Sequence, residues 1–372
     1  MATLTAAGLM TGRADAGDAV AAWAGAHSLK AASDAERLET HAIISEVSRA
    51  RFKSEWRAYR ASFIAADGRV IDNGNGGVSH SEGQGYGLIL AALADDREAF
   101  DLIWGWTEKR LRVRADALFA WRWDAGKEQV SDKNNATDGD ILIAWGLAEG
   151  ARRFARPDYL AAAKTVAQAI GAAAIQVSPH GPVLLPGAAG FSAKDQSDGP
   201  IVNLSYWVYP AFPTLKELAP EYDWDGVRAS GLKLLNDSRF GPLRLPADWQ
   251  SAAGAATAPA KNFAPEFGYN AIRIPLYLAW SGDDAARRAL RRFAGLGRGS
   301  GDRLAVVDVA SGVAAQPLEG AGYQLIVALA RCATFGQPVE GELLRARDAL
   351  YYPATLRLLS LTVIQQRFPQ CL

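Results

Sequence analysis

Two kinds of apolar pattern alternate along this chain. In "DREAFDLIWGWTEKRLR", Phe100, Trp104, Thr107 and Leu111 recur at helical spacing, with Arg, Glu and Lys opposite. The segments over 157–175 and 283–297 predict similar one-faced helices, each opened by a proline or aspartate. The second kind is apolar on nearly every side: "YGLILAALA" (86–94), "DILIAWGLA" (140–148), "AIRIPLYLAW" (271–280) and "YQLIVALA" (323–330). A helix without a polar face is covered all round. Strand signals are few and short, "GPVLLP" and "RLAVVDVA".

Each all-apolar segment follows a polar loop and precedes a one-faced helix, a hairpin recurring every 50–70 residues or so. With 203–218, 43–64 and 353–366 included, about six pairs result. Buried helices form an inner ring and amphipathic ones an outer ring. An open solenoid would expose the middle helices, which have no face to expose. The expectation is therefore an all-α closed helical barrel, one domain over 17–372. Residues 1–16 read as an export-signal remnant or a disordered tail, since an A-x-A ends at Ala16 but no basic opening precedes it.

Composition narrows the function. The 40 basic and 40 acidic residues cancel, so no charge surplus calls for nucleic acid or an anionic membrane. No apolar run approaches the ~18 residues that cross a bilayer. Eleven tryptophans are many for this length. Most are expected in the core, but Trp121, Trp123 and Trp249 lie in polar loops, where a flat ring suits stacking on a sugar. Cys332 and Cys371 make no metal motif; they read as bystanders, with a single disulfide left open.

Polar and aromatic residues gather at the starts of the inner helices. Glu82 stands in "SHSEGQGYG", Asp138 and Asp140 in "NNATDGDILIAW", and Tyr206 in "NLSYW"; Asn270 and Arg273 follow in "FGYNAIRIP", and Tyr323 in "EGAGYQL". Parallel inner helices would bring these positions to one mouth. Any one carboxylate could be no more than a helix cap. Five such positions in register, on a neutral protein, read as a carbohydrate cleft.

The blocks S-E-G-Q-G-Y-G and A-T-D-G-D, with the run from Trp56 to about residue 330, resemble glycoside hydrolase family 8, and within it the bacterial cellulases encoded with cellulose synthase. That resemblance implies an (α/α)6 barrel. It also implies inverting hydrolysis of β-1,4-glucan or cello-oligosaccharide without metal or cofactor, outside the cytoplasm in the periplasm or medium, beside the cellulose synthase machinery. By match to the family pattern, Glu82 is the general acid, a role for a carboxyl that keeps its proton near neutral pH. Asp138 matches a second acidic residue that holds and distorts the sugar beside the scissile bond, and as a like-charge neighbour it would keep Glu82 protonated. Tyr206, Arg273 and Tyr323 match cleft-lining positions and Trp121 a stacking platform.

One position departs from the pattern. An inverting enzyme needs a carboxylate base roughly 6.5–9.5 Å from the acid, and the family's Y-D-A-x-R reads "YNAIR" here, with Asn270 in the base slot. An amide orients a water but cannot take its proton at useful pH. Asp138, Asp140, Glu266, Asp195 and Asp198 are the substitute candidates. The alternatives are slow turnover with Asn270 orienting the water, or a glucan-binding protein that has lost the chemistry. A chitosanase or xylanase of the same family, or a helical scaffold for partner proteins, would also fit the fold.

Overall fold

A computed structural model describes residues 49–297 and 304–372. By internal contacts the chain forms two units, Met1–Arg51 and Phe52–Leu372. The leader expected over 1–16 and the domain start at residue 17 lie outside the described residues.

The unit from Phe52 is an (α/α)6 barrel, as expected. Outer helices are α1 (52–63 within this unit), α3 (Arg97–Leu111), α5 (Pro157–Ala174), α7 (Trp224–Asp237), α9 (Asp284–Leu290) and α11 (Gly341–Arg345). Inner helices are α2 (Ser81–Ala94), α4 (Thr137–Phe154), α6 (Phe212–Leu218), α8 (Ile274–Ser281), α10 (Ala321–Phe335) and α12 (Tyr351–Arg367). The burial follows the two sequence patterns. Phe100, Trp104, Thr107 and Leu111 of α3 are all buried, while residues 274–280 of α8 are buried without exception.

The two ends of the barrel differ. Inner helices pass to outer ones through tight turns: α2, α4, α8 and α10 end in left-handed caps at Asp95, Ala155, Gly282 and Gly336. Outer helices α1, α3, α5, α7 and α9 return to inner ones through long loops carrying the short strands, while α11 passes to α12 by a short link over 346–350. One antiparallel sheet joins β1 (Ser79–His80), β2 (Arg122–Asp124) and β3 (Gln129–Asp132), with Ser79 opposite Trp123. The hairpin of β4 (Ile175–Ser178) and β5 (Gly181–Leu184) and the sheet of β6 (Ile201–Val202), β7 (Gln250–Ser251) and β8 (Ala258–Pro259) follow. The last sheet holds β9 (Glu266–Phe267), β10 (Ala305–Asp308) and β11 (Ala314–Pro317). Both expected strands, in "GPVLLP" and "RLAVVDVA", are present. Every inner helix thus starts at the loop-rich end.

Three expectations need correction. The segment 203–218 is not one helix but two 3-10 turns, Leu204–Tyr206 and Tyr209–Ala211, followed by the short α6. Pro210 and Pro213 lack the N–H that a continuous helix would use. The helix expected over 283–297 stops at Leu290 and tightens into a 3-10 turn, Arg291–Gly295. The cysteines are not bystanders: Cys332 and Cys371 form a disulfide. Neighbouring inner helices run the same way, so the C-terminal ends of α10 and α12 meet, and the turn Pro369–Cys371 folds back from one to the other.

Candidate active site

The glycines around Glu82 serve packing. Strand β1 ends at His80, whose extended backbone and side chain cap α2: His80 Nδ1 accepts from Gly83 N at 3.0 Å. Glu82 is therefore inside the first turn of α2, not in a loop ahead of it. A Cβ on Gly85 would lie 2.5 Å from Leu142 Cβ, and one on Gly139 would lie 2.1 Å from Ser81 Oγ and 2.7 Å from Glu82 N. Glycine at these two positions lets α2 and α4 touch nearly backbone to backbone. Their first turns, with Glu82 and Asp138, come together as a result.

Arg273 joins the two carboxylates. It ends a 3-10 turn, Ala271–Arg273, that leads into α8, and its side chain is buried. Its Nη1 stands 2.7 Å from Glu82 Oε1 and donates to Asp138 Oδ2 at 3.0 Å. The hydrogen bond is aimed at Asp138; Glu82 Oε1 is buried, in ion-pair contact, with no hydrogen-bond donor among the described residues directed at it. Nη2 donates to Ser205 Oγ at 2.8 Å and to Asn270 Oδ1 at 3.1 Å. The guanidinium lies 5.8 Å from the centre of the Tyr206 ring.

Charge balance gives this cluster its chemistry. Two carboxylates face one guanidinium in a nearly dry site, so full ionisation leaves one uncompensated negative charge, which burial penalises. Burial pushes the Asp138 carboxyl up, Arg273 pulls it down, and Glu82 pushes it up again. One proton held on the carboxylate pair brings the cluster to neutrality. Glu82 is the more accessible member, its side chain 19% exposed against 2% for Asp138.

The remaining expected residues are distributed around this centre. Trp121 is half-buried; its carbonyl accepts from Ser81 N at 3.0 Å, fixing it beside the start of the helix that carries Glu82. Its Nε1 donates to Asp132 Oδ2 at 2.8 Å. Tyr206, also half-buried, meets Trp249 edge-on at 6.2 Å, and Trp249 stacks on Phe191 and Phe263 at 5.5 and 4.8 Å. Tyr323 is buried at the start of α10 against Tyr269 and Tyr352, so the exposed ring at that edge is Tyr269. Trp123 is a correction: it is buried edge-on to Trp106 and covered by Arg69, because β2 alternates and turns it inward.

The substitute carboxylates are mostly engaged elsewhere. Asp140 is fully buried and accepts from Phe119 N at 2.9 Å and Asn135 Nδ2 at 2.9 Å. Burial pushes it up to about 8, against those bonds; it anchors the loop that presents Trp121. Asp195 is exposed and closes its own turn through Ser192 and Gly190. Asp198 Oδ2 accepts from Lys261 N at 2.9 Å, while its Oδ1 is buried without a hydrogen-bond partner among the described residues. Glu266 is half-buried and raised by burial and by neighbouring Asp248.

Asp248 and Ser205 went unnoticed in the sequence. Asp248 is buried, and Asn270 Nδ2 donates to its Oδ2 at 3.3 Å. Each lies far along the chain from the residue it touches, so no local spacing reveals it. The one signal was the Asp directly before Trp249 in "ADWQSAAG". Among the described residues no group of three or more His, Cys, Asp or Glu is arranged to hold a metal, and no helix is long and apolar enough to cross a membrane.

Comparison with known proteins agrees with this fold. A probable endoglucanase of Novacetimonas hansenii is 42% identical over 231 residues, 61% of this chain and 66% of that protein. An endoglucanase of Cellulomonas uda is 34% identical over 83% of this chain and 85% of its own length. The solved structure of the endo-beta-1,4-glucanase CMCax from Acetobacter xylinum superposes with a TM-score of 0.73 at 35% identity, covering 86% of this chain and 99% of that one. The pattern of Glycosyl hydrolases family 8 matches residues 31–366. With its barrel and its two carboxylates bridged by one arginine, the chain belongs to glycosyl hydrolase family 8.

Proposed function

We propose that this protein is an endo-acting β-1,4-glucanase that cleaves cellulose chains with inversion at the anomeric carbon. The observation that carries the reading is the Glu82–Arg273–Asp138 cluster, two carboxylates on one buried guanidinium at the loop-rich end of the barrel, and the rings of Tyr206, Trp121, Trp249 and Tyr269, none of them fully buried, support it. Glu82 donates that proton to the departing glycosidic oxygen as the C–O bond breaks. Asp138, through Arg273, holds the cluster and the sugar beside the scissile bond. Asn270 Oδ1, next to Arg273, receives a hydrogen bond from the attacking water, and the proton that water sheds as it bonds to the anomeric carbon passes to bulk solvent, since the amide cannot take it. Flat rings and neutral hydrogen-bonding groups suit an uncharged glucan.

The paired Cys332 and Cys371 support an oxidising compartment, the periplasm or the medium. The resemblance to endoglucanases linked with bacterial cellulose formation supports a place beside the synthase machinery, trimming emerging chains. Asn270 in the base slot favours one second reading, a glucan-binding protein without turnover. A single set of assays separates them. Wild type is expected to release reducing ends from carboxymethylcellulose, with an α-anomer as the first product by NMR. Glu82→Gln is expected to lower kcat by at least about 100-fold with cello-oligosaccharide binding intact. A wild type that binds cellopentaose and releases nothing establishes the binding reading; a β-anomer as first product excludes inversion.

A further inference from the structure

The amide of Asn270 sits between two groups of opposite polarity. On one side Asp248 is buried, its Oδ1 accepting from Gly268 N at 2.9 Å and Ala271 N at 2.8 Å. Among the described residues its Oδ2 faces Asn270 alone, accepting from the backbone N at 3.3 Å and from Nδ2 at 3.3 Å. On the other side Arg273 Nη2 donates to Asn270 Oδ1 at 3.1 Å. A carboxylate only accepts and a guanidinium only donates. The amide therefore fits one way round, Nδ2 to Asp248 and Oδ1 to Arg273. Turned over, it would set its carbonyl against a carboxylate and its NH2 against a guanidinium.

We propose that Asp248 is a positioning residue for glycoside cleavage: it holds Asn270 Nδ2, so that Oδ1 faces Arg273 and the cleft, and Arg273 stays seated between Glu82 and Asp138. The role rests on the hydrolase reading above. It runs as a chain of contacts from Asp248 to Asn270, from Asn270 to Arg273, and from Arg273 to both carboxylates. It assigns a purpose to the Oδ2 of a buried carboxylate whose other oxygen already satisfies the turn at 268–271. It also explains why an amide is tolerated where a charged base would stand 3.3 Å from another carboxylate.

A merely structural Asp248, closing the turn through Gly268 and Ala271, makes a different forecast, and two backgrounds separate the two. In wild type, Asp248→Asn keeps an oxygen for the backbone N–H groups but sets NH2 against the NH2 of Asn270. The kcat on cellopentaose is expected to fall about tenfold or more with KM little changed. In Asn270→Asp the side chain has two equivalent oxygens and no orientation to lose, and Asn at 248 supplies a donor. There the same substitution is expected to cost less than about threefold, or to raise kcat. Equal losses in both backgrounds, with an equal fall in Tm, overturn the proposal.

A second measurement does not depend on turnover. The Asn270 side-chain amide signal, assigned by its disappearance in Asn270→Asp, is expected to exchange slowly with solvent in wild type and to shift and exchange faster in Asp248→Asn. An unchanged signal overturns the proposal even if the enzyme is active. A changed signal in a protein that never cleaves glucan upholds the positioning contact and refutes the hydrolase reading instead.

Discussion

At the scale of single residues, Glu82 and Asp138 show what one guanidinium does between two buried acids. Asp138 is held up by burial and by Glu82 and pulled down by Arg273. On the proposed reading the carboxylate pair acts as an acid only while it holds a proton, so kcat/KM is expected to decline as pH rises through release of that proton. Asp138→Asn removes one negative charge and leaves Glu82 facing Arg273 alone. With that like charge gone from the cluster, the alkaline limb of the kcat/KM profile is expected to move to lower pH. A limb that stays in place or moves up shows that Asp138 does not help to hold the proton. Glu82, Asp138 and Arg273 were legible because each stands in a polar patch directly before an apolar helix. Asp248 was not, since its partners Asn270 and Gly268 lie about twenty residues on and only the fold brings them together.

At the scale of elements, the site depends on how closely α2 and α4 pack. The inner helices were visible as runs without a polar face, and α3 as a stripe whose four expected positions are all buried. What periodicity could not show was where Pro210 and Pro213 break the third inner segment into 3-10 turns, or that α10 and α12 end side by side with their cysteines joined. Nor does a hydrophobic pattern reveal that Gly139 faces the start of α2. An added Cβ there meets Ser81 Oγ and the backbone N of Glu82, which cannot rotate away. Gly139→Ala is expected to destabilise the protein by about 1–3 kcal/mol, read as a lower urea midpoint, and to lower kcat as α2 is pushed from α4. A variant with the wild-type midpoint and full activity would show that the two helices have slack at this contact.

At the scale of the whole molecule, closure of the barrel followed from one argument about faces: helices apolar all round cannot line an open solenoid. The shared direction of the inner helices then puts all the long loops, and the aromatic residues they carry, at one end. The Glu82–Arg273–Asp138 cluster is built there on a chain whose basic and acidic residues number 40 each. A ligand held by ring stacking and neutral hydrogen bonds releases no counterions on binding, whereas a polyanion held by Lys and Arg would. The buried ion pairs at Arg273 are shielded from the salt that screens exposed charges over about 10 Å. Cellopentaose affinity, measured by calorimetry with Glu82→Gln to prevent cleavage, is therefore expected to change by less than about twofold between 50 mM and 500 mM sodium chloride. A steep loss of affinity with salt would mean that surface charge carries recognition, and that the natural substrate is an ionic polysaccharide, not cellulose.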